Sequence, residues 1–154
     1  MYREIGKMVK GIDPVADAFD GTVYSDIVSM RNYQYAEFII FKGVGTTGTS
    51  TITVEACDDV SGSTTEAVTF HYQAITSGDT PGAMTAATTA GFTTTAGSSQ
   101  LYRVYVDASA LASTGYEFVR LKAVEVANDP VLGGVLIRLG GSKGDEDVPP
   151  TAIV

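Results

Sequence analysis

Nucleophilic or metal chemistry has few candidate side chains in this chain, which contains one cysteine, Cys57, and one histidine, His71. A thiol reacts as the thiolate and needs a base beside it, so a catalytic pair would require these two residues to meet in the fold. The carboxylates of Asp58 and Asp59 disfavour a thiolate at Cys57. A lone histidine also lacks the partners of a zinc site. A structural or surface role for His71 is the favoured interpretation, and a Cys–His pair is the alternative.

Two acidic runs could supply oxygen ligands for calcium, Asp58-Asp59 and Asp145-Glu146-Asp147. Neither has the spacing of an EF-hand loop, so solvated acidic loops are favoured. The glycines of Gly43-Val44-Gly45 and Gly133-Gly134 are not followed by the Lys-Ser/Thr of a phosphate loop. They predict turns and bulges. We therefore predict no catalytic, cofactor-binding or metal-binding residue, no cofactor, and a protein that is not an enzyme.

Aromatic side chains are the remaining candidates, because they could form a platform for sugar rings. Aromatics on strands more often form core and cross-strand pairs, and the chain contains no tryptophan. The favoured interpretation is packing, with a carbohydrate-binding surface as the alternative. The residues concerned are Tyr33, Tyr35, Phe38, Phe41, Tyr102, Tyr105, Tyr116 and Phe118.

Length and composition narrow the functional classes. The 154 residues predict one domain with a substantial core, and 44% of them are hydrophobic. The net charge of −8 argues against binding to a nucleic-acid backbone. One cysteine excludes an intrachain disulfide and indicates synthesis in a reducing compartment. The sequence has neither an apolar signal-peptide run at its start nor a stretch long enough to span a membrane, so we expect no membrane association.

The segment from Tyr24 to Lys42 organises the chain as strand, tight turn and apolar strand. A weaker echo runs from Tyr105 to Lys122, where Asp107 and Leu111 repeat the spacing of Asp26 and Met30. In each unit the turn is followed by a Glu-Phe pair at the start of the next predicted strand. Two such units predict a sandwich with two related halves. The four apolar residues 38–41 predict a strand that is covered on both faces.

Alternation with a period of two marks several other strands. It places Ile52, Val54 and Ala56 on one face of a strand over 51–57, with 67–73 as the partner strand. It likewise predicts strands over 100–107 and 116–126. A closing strand is expected over 131–139, with a bulge or a tight bend at its glycine pair. Phe92 would anchor a short strand within the long Thr- and Gly-rich stretch 74–99.

The predicted fold is an all-β antiparallel sandwich, jelly-roll-like, with about eight strands and extended terminal segments. Residues 1–20 are predicted to be an N-terminal arm or an edge strand, 21–140 the sandwich, and 141–154 an extended tail. Exposed strand edges could pair with neighbouring subunits.

Several segments, in their order, resemble small structural proteins of tailed bacteriophages. Together they span most of the chain: Asp26 to Phe41 (Asp-x-x-x-Met-x-Asn-Tyr-x-x-x-x-Phe-Ile-Ile-Phe), Gly48 to Asp59 (ending Ile-Thr-Val-Glu-Ala-Cys-Asp-Asp), Gly91 to Gly97, Val106-Asp107, Tyr116 to Leu121 and Val148 to Val154.

This resemblance implies a β-sandwich virion protein that decorates and stabilises the capsid. The implied partners are the major capsid protein and further copies of the chain, as a homotrimer, on the capsid surface after synthesis in the host cytoplasm. The alternatives are a virion-displayed module that binds carbohydrate or a host surface, and a head–tail or neck accessory protein. A hydrolase resting on His71 and Cys57 is a third reading.

Overall fold

The computed structural model describes residues 6–142 and 150–153. Within these ranges the chain forms twelve strands and one short 3-10 turn, and eight strands have four or more residues. The strands are β1 (Lys7–Val15), β2 (Thr22–Tyr24), β3 (Val28–Ser29), β4 (Tyr35–Lys42), β5 (Thr49–Cys57), β6 (Thr65–Val68), β7 (Phe70–Ile75), β8 (Thr85–Ala87), β9 (Phe92–Thr93), β10 (Gln100–Asp107), β11 (Phe118–Ala127) and β12 (Gly133–Gly140).

Two antiparallel sheets pack face to face and confirm the predicted all-β sandwich. The first sheet has the order β1-β12-β4-β10-β7-β8 and the second has the order β2-β11-β5-β6. The short strands β3 and β9 pair with β11 and β5. The jelly-roll comparison stays a prediction.

The core consists of the inward side chains of both sheets. Ile52, Val54 and Ala56 on β5 are fully buried, as the alternation predicted. The same pattern buries Val104 and Val106 on β10, together with the inward residues of β11. Phe92 on β9 stacks on Tyr72 with ring centroids 3.9 Å apart, so it does anchor its part of the long 74–99 stretch.

The prediction that β4 is covered on both faces is wrong for the single chain. Phe38 and Ile40 point into the core, whereas Ile39 is only half-buried and Phe41 is 57% exposed. The physical reason is that the strands of residues 6–142 form two sheets, and none of these strands lies over the outer face of the six-stranded sheet. An apolar run typical of a doubly covered strand therefore leaves an uncovered apolar surface.

The predicted partner strand 67–73 divides at Thr69. Its first part belongs to β6, which pairs with β5, and its second part belongs to β7, which pairs with β10 in the other sheet. Val68 and Phe70 are both buried. Crossing between the sheets lets these two residues reach the same core from opposite sides.

The glycine pair of β12 does not form the predicted bulge, because its register with β4 is continuous from Gly133 to Gly140. The irregularities lie in the neighbouring β1, after Lys10 and after Ile12. A Cβ at Gly133 would lie 2.6 Å from the carbonyl oxygen of Phe41. Glycine is needed there for close approach of the strands.

The two sequence echoes both cross between the sheets, but they are not structurally equivalent. Asp107 caps a 3-10 turn over Ala108–Leu111 by accepting a 2.8 Å hydrogen bond from Ser109 N. The earlier unit has the short strand β3 in place of that turn. In the first unit, Phe38 of the Glu-Phe pair faces the core. In the second unit, the residue after Phe118, Val119, faces the core instead.

Described parts of both terminal segments pack against the sandwich. Strand β1 is the edge strand of the six-stranded sheet and pairs with β12. Near the other terminus, Ser29 N donates a 2.8 Å hydrogen bond to Ala152 O, and the Tyr33 hydroxyl donates to Pro150 O. Ala152 is buried. Residues 150–153 therefore pack against the sandwich of the same chain.

Candidate protein-binding surface

The structure does not bring Cys57 and His71 together. Cys57 is buried at the end of β5 in the second sheet, where its Sγ contacts Glu55 O at 3.8 Å. Burial raises the pKa of the Cys57 thiol to about 11, so the thiolate is disfavoured at neutral pH. His71 lies on β7 of the other sheet with its side chain exposed. This arrangement provides no base for the thiol.

The acidic pair after Cys57 shapes a loop. Asp59 Oδ1 accepts hydrogen bonds from Ser61 N at 2.8 Å and Ser61 Oγ at 2.6 Å, which lower the pKa of the Asp59 carboxyl. Asp58 Oδ1 accepts from Asp59 N at 2.9 Å. In residues 6–142 and 150–153, no group of three or more His, Cys, Asp or Glu side chains is arranged to hold a metal ion. The run Asp145-Glu146-Asp147 lies outside the described residues.

The aromatic candidates divide between the core and the outer face. Tyr33, Phe38 and Tyr102 are buried. Tyr35 and Tyr105 form a cross-strand pair, with ring centroids 5.1 Å apart, on the outer face of the six-stranded sheet. Tyr116 and Phe118 are half-buried. Phe41 is the exposed member of the set.

Phe41 forms part of an apolar groove on that outer face, with a volume of about 530 Å³. The groove lies over β1, β12, β4 and the start of β10. Its lining consists of Lys10, Ile12, Asp13, Pro14, Ile39, Phe41, Gly43, Leu101, Leu132, Gly133, Gly134, Val135 and Leu136.

Strand register explains why the groove is apolar. Phe41 lies opposite Gly134 on one side and Leu101 on the other, and Ile39 lies opposite Leu136. Side chains on directly paired residues share a face, so these form two apolar rows. Gly134 adds no side chain, and a Cβ there would lie 3.0 Å from Ile12 O and 3.2 Å from Pro14 N, so glycine lets β1 lie close over this position.

A charged cluster borders the groove. Glu37 Oε1 accepts from Arg103 Nε at 2.5 Å, and Glu37 Oε2 lies 2.8 Å from Arg138 Nη2. The carboxylate is almost completely buried, whereas both arginines are partly exposed. Two guanidinium groups thus share one carboxylate. At the opposite rim, Lys10 Nζ pairs with Asp13 Oδ1 at 3.0 Å.

Buried Lys42 holds the loops at this end of the sandwich. Its Nζ donates to Gly48 O at 2.9 Å and to Thr95 O at 2.8 Å, which ties the 43–48 loop to the 94–99 loop. Burial lowers the pKa of the Lys42 ammonium. Asp129 Oδ2 accepts from Thr47 N and from the backbone and side chain of Thr46. The predicted Gly43–Gly45 turn therefore lies in a hydrogen-bonded loop cluster beside the groove.

A second depression, of about 430 Å³, lies at the opposite end of the sheet and contains His71, Asp107 and Ser109. Asp107 is already committed to its capping bond with Ser109 N, which contributes to the lowered pKa of its carboxyl. This depression is near the Tyr35–Tyr105 pair, since Tyr105 pairs with His71 across the strands.

Comparison with known proteins identifies no relative: no family model, curated protein or solved structure matches the chain. Within the described ranges there is no helix with the length and apolar character to cross a membrane. The groove is the larger of the two depressions described above. Sequence reasoning missed it, although residues 38–41 carried the signal, because strand order decides whether an apolar face is covered.

Proposed function

We propose that this chain is a non-enzymatic structural protein of a tailed-bacteriophage virion, which binds the outer surface of the major capsid protein shell and stabilises it. The proposal places the protein on the capsid surface after synthesis in the host cytoplasm. The phage partner comes from the sequence resemblance, and the sandwich is the fold which that resemblance implies.

The observation that carries a protein-binding role is the uncovered apolar groove beside Phe41. Exposed contiguous apolar patches of this kind mark interaction sites in soluble proteins. The groove belongs to the hydrogen-bonded six-stranded sheet and is supported by the loops tied through Lys42 and Asp129. A preformed surface loses little conformational entropy on binding, which suits a protein that holds others together. Many copies on a symmetric shell would gain further through multivalency.

The test is binding to empty expanded shells of the phage that encodes the chain. We expect co-sedimentation that saturates at a fixed ratio to the capsid protein, and a higher temperature of shell disruption. Shells whose stability and composition stay unchanged at saturating chain concentration would refute the decoration role. Binding confined to isolated neck complexes would instead support the head–tail accessory role.

The Tyr35–Tyr105 pair favours one second candidate, a displayed carbohydrate-binding module. The two rings lie on an outer face beside the depression that contains His71. Aromatic rings of this type stack on sugar faces. A glycan array with the unaltered chain and a Tyr105→Ala variant tests this function. Binding lost in the variant, together with no shell binding, would favour the module.

A further inference from the structure

We infer that the segment of capsid protein bound in the groove carries a carboxylate beside its apolar side chains, and that Arg103 and Arg138 bind this carboxylate. The identity of the partner rests on the proposed function. The chemistry of the segment follows from the outer face of the six-stranded sheet.

Both arginines lie next to the groove. Arg103 on β10 is directly opposite Ile39 on β4, and Ile39 lines the groove. Arg138 on β12 is two residues from Leu136, on the same face of that strand, and Leu136 also lines the groove. A segment seated in the groove therefore lies beside two guanidinium groups.

The buried carboxylate of Glu37 neutralises only one of these two charges. It contacts both arginines and is itself 3% exposed, so the cluster keeps a net charge of +1. At the opposite rim of the groove, Lys10 and Asp13 neutralise each other. The chain as a whole carries −8. A positive centre on an acidic molecule attracts an acidic side chain to this place and not to the surface in general.

The two guanidinium groups also keep hydrogen-bond donors for a ligand. Arg103 donates from Nε to Glu37 and from Nη1 to Gln73 at 3.3 Å, whereas Arg138 contacts Glu37 through Nη2. Each guanidinium has five N–H donors, so most of the ten have no acceptor in residues 6–142 and 150–153. Arg138 Nε is buried among these residues without an acceptor, so Glu37 alone does not satisfy this side chain. With 40% and 38% of the two side chains exposed, the remaining Nη donors are accessible to a carboxylate.

A similar cluster on the other sheet is less accessible. Glu55 also holds two cations, Arg120 and Lys122, and that cluster has the same net charge. However, Arg120 is only 13% exposed, and its guanidinium carbon lies 4.0 Å from the centre of the Tyr24 ring. The cluster beside the groove is therefore the better site for a carboxylate from another molecule.

Strand geometry predicts the spacing within the bound segment. Phe41, Ile39 and Glu37 are alternate residues of β4, so their positions follow one another at about 7 Å along the strand. An extended segment that runs along β4 from Phe41 to Glu37 places its own alternate side chains at the same spacing. Apolar side chains at its first and third positions and a carboxylate at its fifth therefore match this face.

Two blocked peptides test this chemistry without the shell: Ac-Phe-Ser-Leu-Ser-Asp-NH2 and the same peptide with Asn in place of Asp. Their affinities for the full chain are measured by NMR titration. We expect the Asp peptide to bind about tenfold more tightly, because a carboxylate accepts stronger hydrogen bonds from a guanidinium than an amide does. The shifted signals should include those of residues that line the groove.

Single substitutions assign the preference to the arginines. Arg103→Gln and Arg138→Gln each remove one charge and leave Glu37 paired with the other arginine, so both variants should fold. Lys122→Gln is the matched control, because it removes the same charge from the cluster on the other sheet and also leaves an arginine in place. The arginine variants should lose most of the preference for the Asp peptide, and Lys122→Gln should keep it.

Binding to expanded shells separates this inference from the proposed function. The two arginine variants should bind shells about tenfold more weakly than the unaltered chain, and Lys122→Gln should differ from it by less than about twofold. Equal shell affinities for the arginine variants and Lys122→Gln would overturn the inference and leave the proposed function standing.

The peptides give the complementary outcomes. Equal binding of the Asp and Asn peptides would overturn the inference. A preference for the Asp peptide that depends on the arginines, with no binding to shells, would overturn the proposed function and support recognition of an acidic apolar segment. No binding of either peptide at about 10 mM and no binding to shells would overturn both.

Discussion

Two glutamates on the outer faces of the sandwich give the sharpest test of its electrostatics. Glu37 on β4 and Glu55 on β5 are at most 10% exposed, and each holds two cations. The perturbation is Glu→Gln at each position, which removes the charge and keeps the shape of the side chain. Both variants should unfold more easily, because cations positioned for a carboxylate lose it.

The loss in free energy of unfolding depends on how well water can solvate the cations that lose their carboxylate partner. Arg103 and Arg138 beside Glu37 are 40% and 38% exposed, so solvent can compensate both in part. A lost hydrogen bond to a charged group costs about 1.5–3 kcal/mol, and we expect about 2 kcal/mol for Glu37→Gln.

The second site should cost more to disrupt. Arg120 beside Glu55 is only 13% exposed, and Lys122 is 31% exposed. Removal of one partner from a buried pair costs about 3–5 kcal/mol, so we expect about 3 kcal/mol for Glu55→Gln. The ranking of the two variants is therefore set by the exposure of their cations.

Urea unfolding at pH 7, followed by circular dichroism, gives both free energies. With a slope of about 2 kcal/mol/M, the midpoint should fall by about 1 M for Glu37→Gln and more for Glu55→Gln. Glu117→Gln is the control, because its bridge to Arg31 is exposed and should contribute less than about 0.5 kcal/mol. Equal midpoints for Glu37→Gln and Glu117→Gln would refute the assignment of Glu37 as a buried ionic link. A reversed order of the two buried sites would refute the solvation argument.

Three further predictions concern buried groups and the C-terminal contact. Because the pKa of Cys57 rises from 9.0 to about 11 on folding, the folded state keeps its proton longer, and stability should fall as pH rises from 9 to 11. In urea titrations across this range, the free energy of unfolding of Cys57→Ala should fall by about 2 kcal/mol less than that of the unaltered chain. A pH dependence identical to that of the unaltered chain would contradict this prediction. The pKa of Lys42 is instead lowered from 10.5, so its contribution should raise stability as pH rises through the window just below 10.5. The pH profile of Lys42→Met should lack that rise. Deletion of 150–154 should expose the surface that buries Ala152 and leave the Tyr33 hydroxyl without Pro150, lowering thermal stability by several degrees. An unchanged melting temperature in calorimetry would show that this contact contributes nothing.

Strand alternation made much of the core predictable. β5, β10 and β11 each carry side chains that alternate between the core and the outside, and a period of two needs no knowledge of the partner strand. Because alternation carries no information about the partner strand, it also led to the wrong prediction of one continuous strand over 67–73. Val68 and Phe70 satisfy a single alternating strand and also a strand that changes sheet at Thr69, because both arrangements bury the same two side chains.

The candidate site depended on information that no local pattern contains. Ile39 and Phe41 read as covered residues, yet whether anything covers them depends on the position of β4 in the sheet and on what packs over it. The groove also needs β12 beside β4 with Gly134 opposite Phe41, a pairing between residues more than ninety positions apart.

The sequence by itself determined the all-β class, the inward faces of its longest strands and the scarcity of nucleophilic side chains, because composition and period are local properties. Only the tertiary structure decided which sheet each strand joined, that Cys57 and His71 lie in different sheets, and that Glu37 is shared by two arginines. These outcomes depend on long-range pairing, in which each contact is selected by the packing of the whole core and not by the residues next to it.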